Sequence, residues 1–555
     1  MVQSVQETQD ELDKALETSC MIDDTTKKTK KKKKNKKKIV QDIDDYYLKT
    51  MMPYPVTLKA TKTKGRHAVA SCTIDQGTTV CLEKATAFVV RSDYIDQQCH
   101  VCLDDLSTKM MCSDCKMVYY CSQTCVQSDH HHTRVCALLS QVIPIGQSTD
   151  VDPDLLRLMI YLLAKRQQND EEEEEEEDGS TPYRCVLDLL SHKENASLAF
   201  IKVVTDAAQR LMMEDPDFFA SLSVDDLVTL ACRINSNAHG LGDNHARNTD
   251  VALGLFPVGA LFFNHSCNPN AAFVGLEKGQ LLFRTIRPVK QDEEIAVSYI
   301  DLYASRDERR QNLLATKHFW CKCKRCSSPM DTSVDRFLHG VVCTQCTEDV
   351  YVIPASTIED ISRGQTKLYT TKDDEVWPCA KCGHVATAKT VRDTISQAQD
   401  KYTNGMKCIR KERNYRRARK ELEPLVNTTL EPGKLHPQDA IRFNASIPLM
   451  NCLRYENDIK RAADINKIIL DFMQEQAKQH LPEYTSEVAD FWQNLGELCD
   501  SLATQYRHSL PPLEKKWNKD ARNAFTQATK VRSIVFGPNH PKTLLVKKFT
   551  TQSSA

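Results

Sequence analysis

Three things are missing from this 555-residue chain, and each absence excludes a class of protein. It has almost no net charge: 74 Lys+Arg against 75 Asp+Glu leave a formal charge of -1. No whole-molecule field therefore steers it toward nucleic acid or membrane, and any polyanion contact must be local. It has no long hydrophobic run, since the most apolar stretch, residues 251–263, is too short to cross a bilayer and carries Pro257. It has no basic-then-apolar N-terminal segment, so no secretory signal is expected. These absences predict a soluble intracellular protein with no membrane partner, in which disulfides are not expected.

What the chain has in abundance is cysteine, 23 residues, of which fifteen stand in close spacings or beside them. In a reducing compartment that pattern points to zinc. The length allows roughly three to five domains with separate cores.

Residues 1–52 hold few aromatics and no sustained apolar period, and residues 27–38 are almost unbroken lysine, so a disordered Lys-rich tail is expected. The lysines read as a nuclear address, as an RNA or anionic-lipid contact, or as a solvated charge block. Residues 53–95 change to short β-type runs with turn signals at Lys64-Gly65 and Asp75-Gln76-Gly77. In the segment Lys64-Gly65-Arg66-His67 a glycine lets the backbone approach a ligand, and flanking cations can meet an anion. A solvated hairpin tip is the plain alternative.

Residues 99–136 then bring Cys99-x2-Cys102, Cys112-x2-Cys115, Cys121-x3-Cys125 and His132-x3-Cys136. Tetrahedral zinc takes two such pairs per ion, so four pairs make two sites, and metal would supply much of the folding energy of a segment without its own core. His130 and His131 rival His132 as ligands. The arrangement resembles the MYND finger, and that resemblance implies interleaving: Cys99, Cys102, Cys121 and Cys125 on one ion, Cys112, Cys115, His132 and Cys136 on the other. Residues 137–230 read as a helical insert, with a helix from Asp152-Pro153 to Arg166, an acidic loop at 171–178, and helical segments at 188–192 and 225–234.

In residues 231–305 the β pattern resumes, with runs at 251–263, 280–285 and 295–300 and a turn at 288–294. Among them lies Phe-Phe-Asn-His-Ser-Cys-Asn-Pro-Asn, residues 262–270, which by itself reads as a tight turn with one buried cysteine. Residues 306–330 carry Cys321-x-Cys323-x2-Cys326, three thiolates where zinc wants four, and Cys267 is the natural fourth.

Gly65 with its flanking cations, Asn264-His265-Ser266-Cys267, Tyr299 and the cysteine trailer occur in that order, split by the finger. The chain thus resembles the SET-and-MYND family of lysine methyltransferases. The resemblance implies an α+β multidomain protein: a split SET β-fold with an inserted MYND zinc finger, a zinc-binding post-SET segment and a C-terminal all-α array of tetratricopeptide (TPR) type. It implies S-adenosylmethionine as cofactor and protein lysines, histone or non-histone, as acceptors. Matched residue by residue, Lys64 and Arg66 would meet the cofactor's carboxylate, and Asn235, Asn264 and His265 its amino-acid and adenosine parts. His192 would contact the ribose, Phe319 would stack on adenine, and Tyr299 would be the catalytic tyrosine and also face the methyl group. Methyl transfer to an amine is an in-line displacement that asks chiefly for alignment and a desolvated, uncharged lysine. The sequence departs from the family pattern at His67, where a second glycine is usual, and at Asn237 and Lys317, where aromatics line the lysine channel.

Residues 331–392 hold Cys343-x2-Cys346 and Cys379-x2-Cys382, spaced for a fourth zinc in a ribbon, with four reduced cysteines as the alternative. Residues 393–555 are helical throughout, with segments near 440–453, 459–479, 486–506 and 517–535, as in a TPR-like array or a plain bundle. Expected partners are protein substrates and, at the finger, proline-rich peptides. Nucleic acid is expected only through the lysine tail. The expected state is a monomer in nucleus and cytoplasm.

Overall fold

The computed structural model describes residues 43–171, 179–242, 250–359, 372–426, 429–479 and 481–552, so the lysine run and most of the acidic loop lie outside the described residues. The chain divides into two compact units. The first takes the residues up to His265, Asn270–Val297 and Ala315–His318; the second takes Ser266–Pro269, Ser298–Leu314 and the rest from Phe319.

The first unit is built on small antiparallel sheets. β1 (Val56–Thr61) pairs with β2 (Gly65–Ala70) across the Lys64-Gly65 turn, where Gly65 sits at φ +65°. Only glycine adopts that conformation freely. β3 (Thr79–Lys84) and β4 (Ala87–Val90) follow. A short hairpin, β5 (Met110–Met111) with β6 (Tyr119–Tyr120), lies in the cysteine-rich insert. β7 (His239–Gly242), β8 (Asp250–Leu255), β9 (Ala271–Leu276) and β10 (Gln280–Thr285) complete sheets ordered β4-β8-β7 and β3-β10-β9. Val80, Cys81, Val89, Leu255, Phe263, Leu281 and Phe283 are buried between them.

Helices Pro153–Glu171, Leu198–Glu214 and Val224–Asn237 form the insert. The last opens on a capping box in which Ser223 and Asp226 satisfy each other's backbone amides. No helix among the described residues is long and apolar enough to cross a membrane.

The structure corrects five expectations for the first unit. The expected tail ends early: Asp45–Met51 is a helix capped by Asp44, because Tyr47 and Met51 bury one face. The run 251–263 is not all strand. After β8 it turns into the helix Pro257–Phe262, since Pro257 fits the first helical position and the Glu83 carboxylate accepts from Val258 N and Gly259 N. Residues 295–300 form no strand of a named sheet; Val297 makes only an isolated parallel bridge to His265. Residues 188–192 are not helical, because the helix is Tyr183–Leu187 and His192 stands at φ +51°. His67, placed by sequence at a hairpin tip, lies inside β2 and is buried.

The second unit is mainly helical. Ala388–Arg410, Tyr415–Leu422, Ala440–Tyr455, Ile459–Lys478, Ser486–Tyr506, Pro511–Val535 and Pro541–Gln552 follow in order, and from Ala440 onward each packs on the next. The helical part begins at Ala388 rather than 393, where Thr387 caps the first turn. The helix expected near 517 starts at Pro511 for the same reason as the one at Pro257.

Candidate active site and metal centres

In the first unit the β1–β2 turn presents Lys64, Gly65 and Arg66. Asn264 fixes this turn from behind: its Nδ2 donates to Lys64 O and Arg66 O, each at 3.2 Å, and to Glu294 Oε1 at 3.3 Å. Both cations already have carboxylate neighbours. Lys64 Nζ pairs with Glu294, and Arg66 donates to Asp188 O with Asp188 Oδ1 4.0 Å away. Such exposed pairs contribute about 0–1 kcal/mol and rearrange readily for a stronger anion. A side chain placed on Gly65 would meet nothing within 4 Å, so the backbone there is open to a ligand. The turn is therefore open to an anionic ligand.

Sequence reasoning missed the residue that holds Asp188 beside this arginine. Tyr47 Oη donates to Asp188 Oδ2 at 2.7 Å, and its ring packs edge-on against Phe262 at 5.3 Å. Tyr47 lies in the segment read as tail, and no local spacing links it to Asp188 or Arg66.

The segment leading to His192 is pinned by the last turns of Val224–Asn237. Arg233 Nε donates to Leu189 O, and Asn237 Nδ2 to Leu190 O at 2.9 Å and Arg233 O at 2.8 Å. His192 and His318 face each other with ring centres 5.1 Å apart. Burial lowers both imidazole pKa values. Asn235 is exposed on the same helix. Lys317 Nζ donates to Ser236 O at 2.8 Å, at the C-terminal end of that helix, where a cation is favoured. Burial nonetheless holds its pKa below the usual lysine value. Its amine thus has a carbonyl partner within the first unit, and Asn237 serves as a backbone clamp.

In the second unit Cys267, Cys321, Cys323 and Cys326 converge, with Tyr299 and Phe319 packed against the cluster. Cys267 Sγ lies 3.9 Å from Cys321 Sγ and 3.5 Å from Cys326 Sγ. A disulfide needs about 2.05 Å, whereas thiolates at 2.3 Å around a tetrahedral zinc stand about 3.8 Å apart. A second observation agrees. Asp335 accepts from Arg306 Nε at 3.0 Å, Arg309 Nη2 at 2.8 Å and Arg325 Nε at 2.9 Å, all buried. In that hydrogen-bonded cluster the guanidinium groups outnumber the carboxylate by two charges, and four thiolates around a divalent ion carry two negative ones. The clusters touch, since Arg325 Nη1 donates to Cys267 O at 3.1 Å and Arg309 Nη2 lies 3.7 Å from Cys326 Sγ. Zinc fits this site in both geometry and charge. Burial alone would raise the Asp335 pKa, but Arg325, Arg309 and Arg306 outweigh it and hold the carboxyl below the ordinary value.

The insert supplies two further sets. Cys99, Cys102, Cys121 and Cys125 converge, as do Cys112, Cys115, His132 and Cys136, with every ligand atom of a set within 4.8 Å of the others. Cys102 and Cys121 Sγ are 3.5 Å apart, Cys112 and Cys136 Sγ 3.6 Å, and His132 Nε2 lies 3.2 Å from Cys112 Sγ. The interleaved pairing is therefore present, and His132, not His130 or His131, faces the thiols.

A SET domain family model matches residues 65–300. The chain is 27% identical over 292 residues to "Histone-lysine N-methyltransferase ASHR1" of Arabidopsis thaliana, covering 51% of this chain and 58% of that protein. It is 26% identical over 279 residues to "Histone-lysine N-methyltransferase SMYD3" of Homo sapiens, covering 50% and 63%. Against "N-lysine methyltransferase SMYD2" of Gallus gallus it is 23% identical over 447 residues, covering 79% and 84%. The chain spans little more than half the length of the first of these relatives. Its fold is that of a SET-domain protein, mixed α and β with a large helical C-terminal part. Within that class the chain is similar to SET-and-MYND proteins, among them the two SMYD relatives above.

Proposed function

We propose that this chain is an S-adenosylmethionine-dependent protein-lysine N-methyltransferase acting on histone or non-histone proteins. The observation that carries the reading is the Lys64-Gly65-Arg66 turn, open at Gly65 and clamped by the Asn264 amide. When bound, the cofactor supplies an electrophilic methyl group on a sulfonium. Lys64 and Arg66 would hold its carboxylate, Lys64 by exchanging Glu294 for the new anion and Arg66 while still donating to Asp188 O. Asn235, Asn264 and His265 would bind its amino-acid and adenosine parts, His192 the ribose and Phe319 the adenine. Tyr299 orients the incoming amine, whose uncharged form a desolvated channel favours.

We read residues 99–136 as a MYND finger with two zinc ions, the Cys267 set as a post-SET zinc site, and the helices from Ala388 as a TPR-like array that selects protein partners. Location in nucleus and cytoplasm belongs to the same reading. A second reading, a scaffold holding proline-rich peptides at the finger with little or no methyl transfer, is favoured by Asn237 and Lys317 standing where relatives have aromatics.

Labelled cofactor incubated with the purified chain, histones and a cell lysate separates the two. The enzyme reading expects label on protein lysines, a loss of at least about 100-fold in Tyr299→Phe, and unchanged cofactor affinity by calorimetry in that variant. Absence of label from wild type that binds the cofactor selects the scaffold.

A further inference from the structure

Outside the span matched to the SET domain, residues 340–387 bring together two chain turns of one design. In each, the first cysteine of a Cys-x2-Cys pair receives a backbone amide from the residue four positions on: Thr347 N to Cys343 O at 3.2 Å and Gly383 N to Cys379 O at 3.1 Å. In each, an inner amide points at the first sulfur, Gln345 N to Cys343 Sγ at 3.3 Å and Lys381 N to Cys379 Sγ at 3.4 Å. The turn closes at positive φ, +55° at Thr347 and +73° at Gly383. The metal-ligand turns of the first unit repeat this design: Leu103 N donates to Cys99 O and Lys116 N to Cys112 O, with φ of +63° and +57°.

Glycine takes that conformation at no cost, but a β-branched threonine does not, so Thr347 stores strain that something must hold. The four sulfurs face one another, Cys343 with Cys382 and Cys346 with Cys379 at 3.7 Å each, too far for disulfides and near the edge of a zinc tetrahedron.

We propose that Cys343, Cys346, Cys379 and Cys382 bind a further zinc ion that clips together the roots of two helices of the C-terminal array. The first turn closes a hairpin, bridged at Val342 and Val350, that is fastened to residues 433–439. Val342 N donates to Lys434 O, His436 N to Gly340 O, and Gly340 N to the carboxylate of Asp439, which caps Ala440–Tyr455. The second hairpin, β11 (Val376–Pro378) with β12 (Val385–Thr387), runs straight into Ala388–Arg410 through its cap Thr387. One ion therefore fixes where both helices begin. Cys382 is exposed and Cys346 half-buried, whereas Cys267, Cys321 and Cys326 are buried. The clip is the all-cysteine site with the most open flank, and a chelator reaches it before the Cys267 site.

The test uses the full chain purified without chelator. Metal analysis is expected to find one zinc per chain more in wild type than in Cys379→Ser/Cys382→Ser. Alkylation by N-ethylmaleimide is expected to spare all four thiols while labelling exposed Cys72, until a chelator is added. Removal of the ion is expected to speed hydrogen exchange at least tenfold in the first turns of Ala388–Arg410 and Ala440–Tyr455. Equal zinc content in the two proteins, or iron in place of zinc, overturns the proposal. So does labelling of the four thiols as fast as Cys72, a readout that needs no variant to fold. None of these measurements uses methyl transfer, so their failure is distinct from failure of the enzyme reading.

Discussion

Tyr47 and Asp335 act at the residue scale, each by fixing charges it does not itself contribute to the proposed chemistry. Tyr47 holds Asp188, and Asp188 holds Arg66. In Tyr47→Phe the carboxylate loses its phenolic donor, and a hydrogen bond to a charged group is worth about 1.5–3 kcal/mol. The expected result is cofactor affinity about tenfold weaker by calorimetry together with a melting temperature lowered by a few degrees; unaltered affinity would show that Arg66 needs no such aim. Asp335→Asn leaves buried arginines facing an uncharged amide. Breaking a buried ion pair on one side costs about 3–5 kcal/mol, so the urea midpoint of this variant should fall steeply. Neither residue was legible in the sequence, because Tyr47 finds its partner 141 positions away and Asp335 lies in no motif. The metal ligands were legible, because each pair is local and chain geometry alone brings two sulfurs together.

At the scale of elements, the short helix Pro257–Phe262 shows what local pattern misses. Its residues are apolar and read as a continuation of β8, yet Glu83 on a neighbouring strand supplies the acceptor that two orphan amides need. Burial outweighs those amides and raises the Glu83 pKa from 4.5 to about 7. Folding therefore favours the protonated carboxyl. This contribution is complete below pH 4.5 and is lost as pH climbs toward 7, by about 3 kcal/mol. Urea midpoints between pH 4 and 8 should show a falling limb in wild type that is absent from Glu83→Gln, whatever the variant's absolute stability. The long C-terminal helices were legible nearly to the residue, as at Ser486–Tyr506, because apolar periodicity over many turns leaves little freedom. Their starts at Ala388 and Pro511 were less so, since caps depend on single residues.

For the whole molecule, metal is expected to matter more than core size in the cysteine-rich parts. Prolonged chelation should release zinc from the 99–136 insert and from the Cys267 set, and restored zinc should reverse the effect. Because Cys267 follows Asn264 and His265 so closely in the chain, cofactor affinity should drop at least tenfold on chelation, a change that calorimetry before and after zinc return would measure. By itself the sequence determined the four convergent Cys/His sets and the β-then-helix order. These depend on short spacings and on patterns that repeat within a few residues. Only the tertiary structure decided that the N-terminal segment closes with a working helix, that Asn237 and Lys317 serve backbone carbonyls, and that buried arginines match the charge of a zinc thiolate centre. Those facts join residues distant in the chain, and their energies arise from burial and from long-range pairing, which no local spacing records.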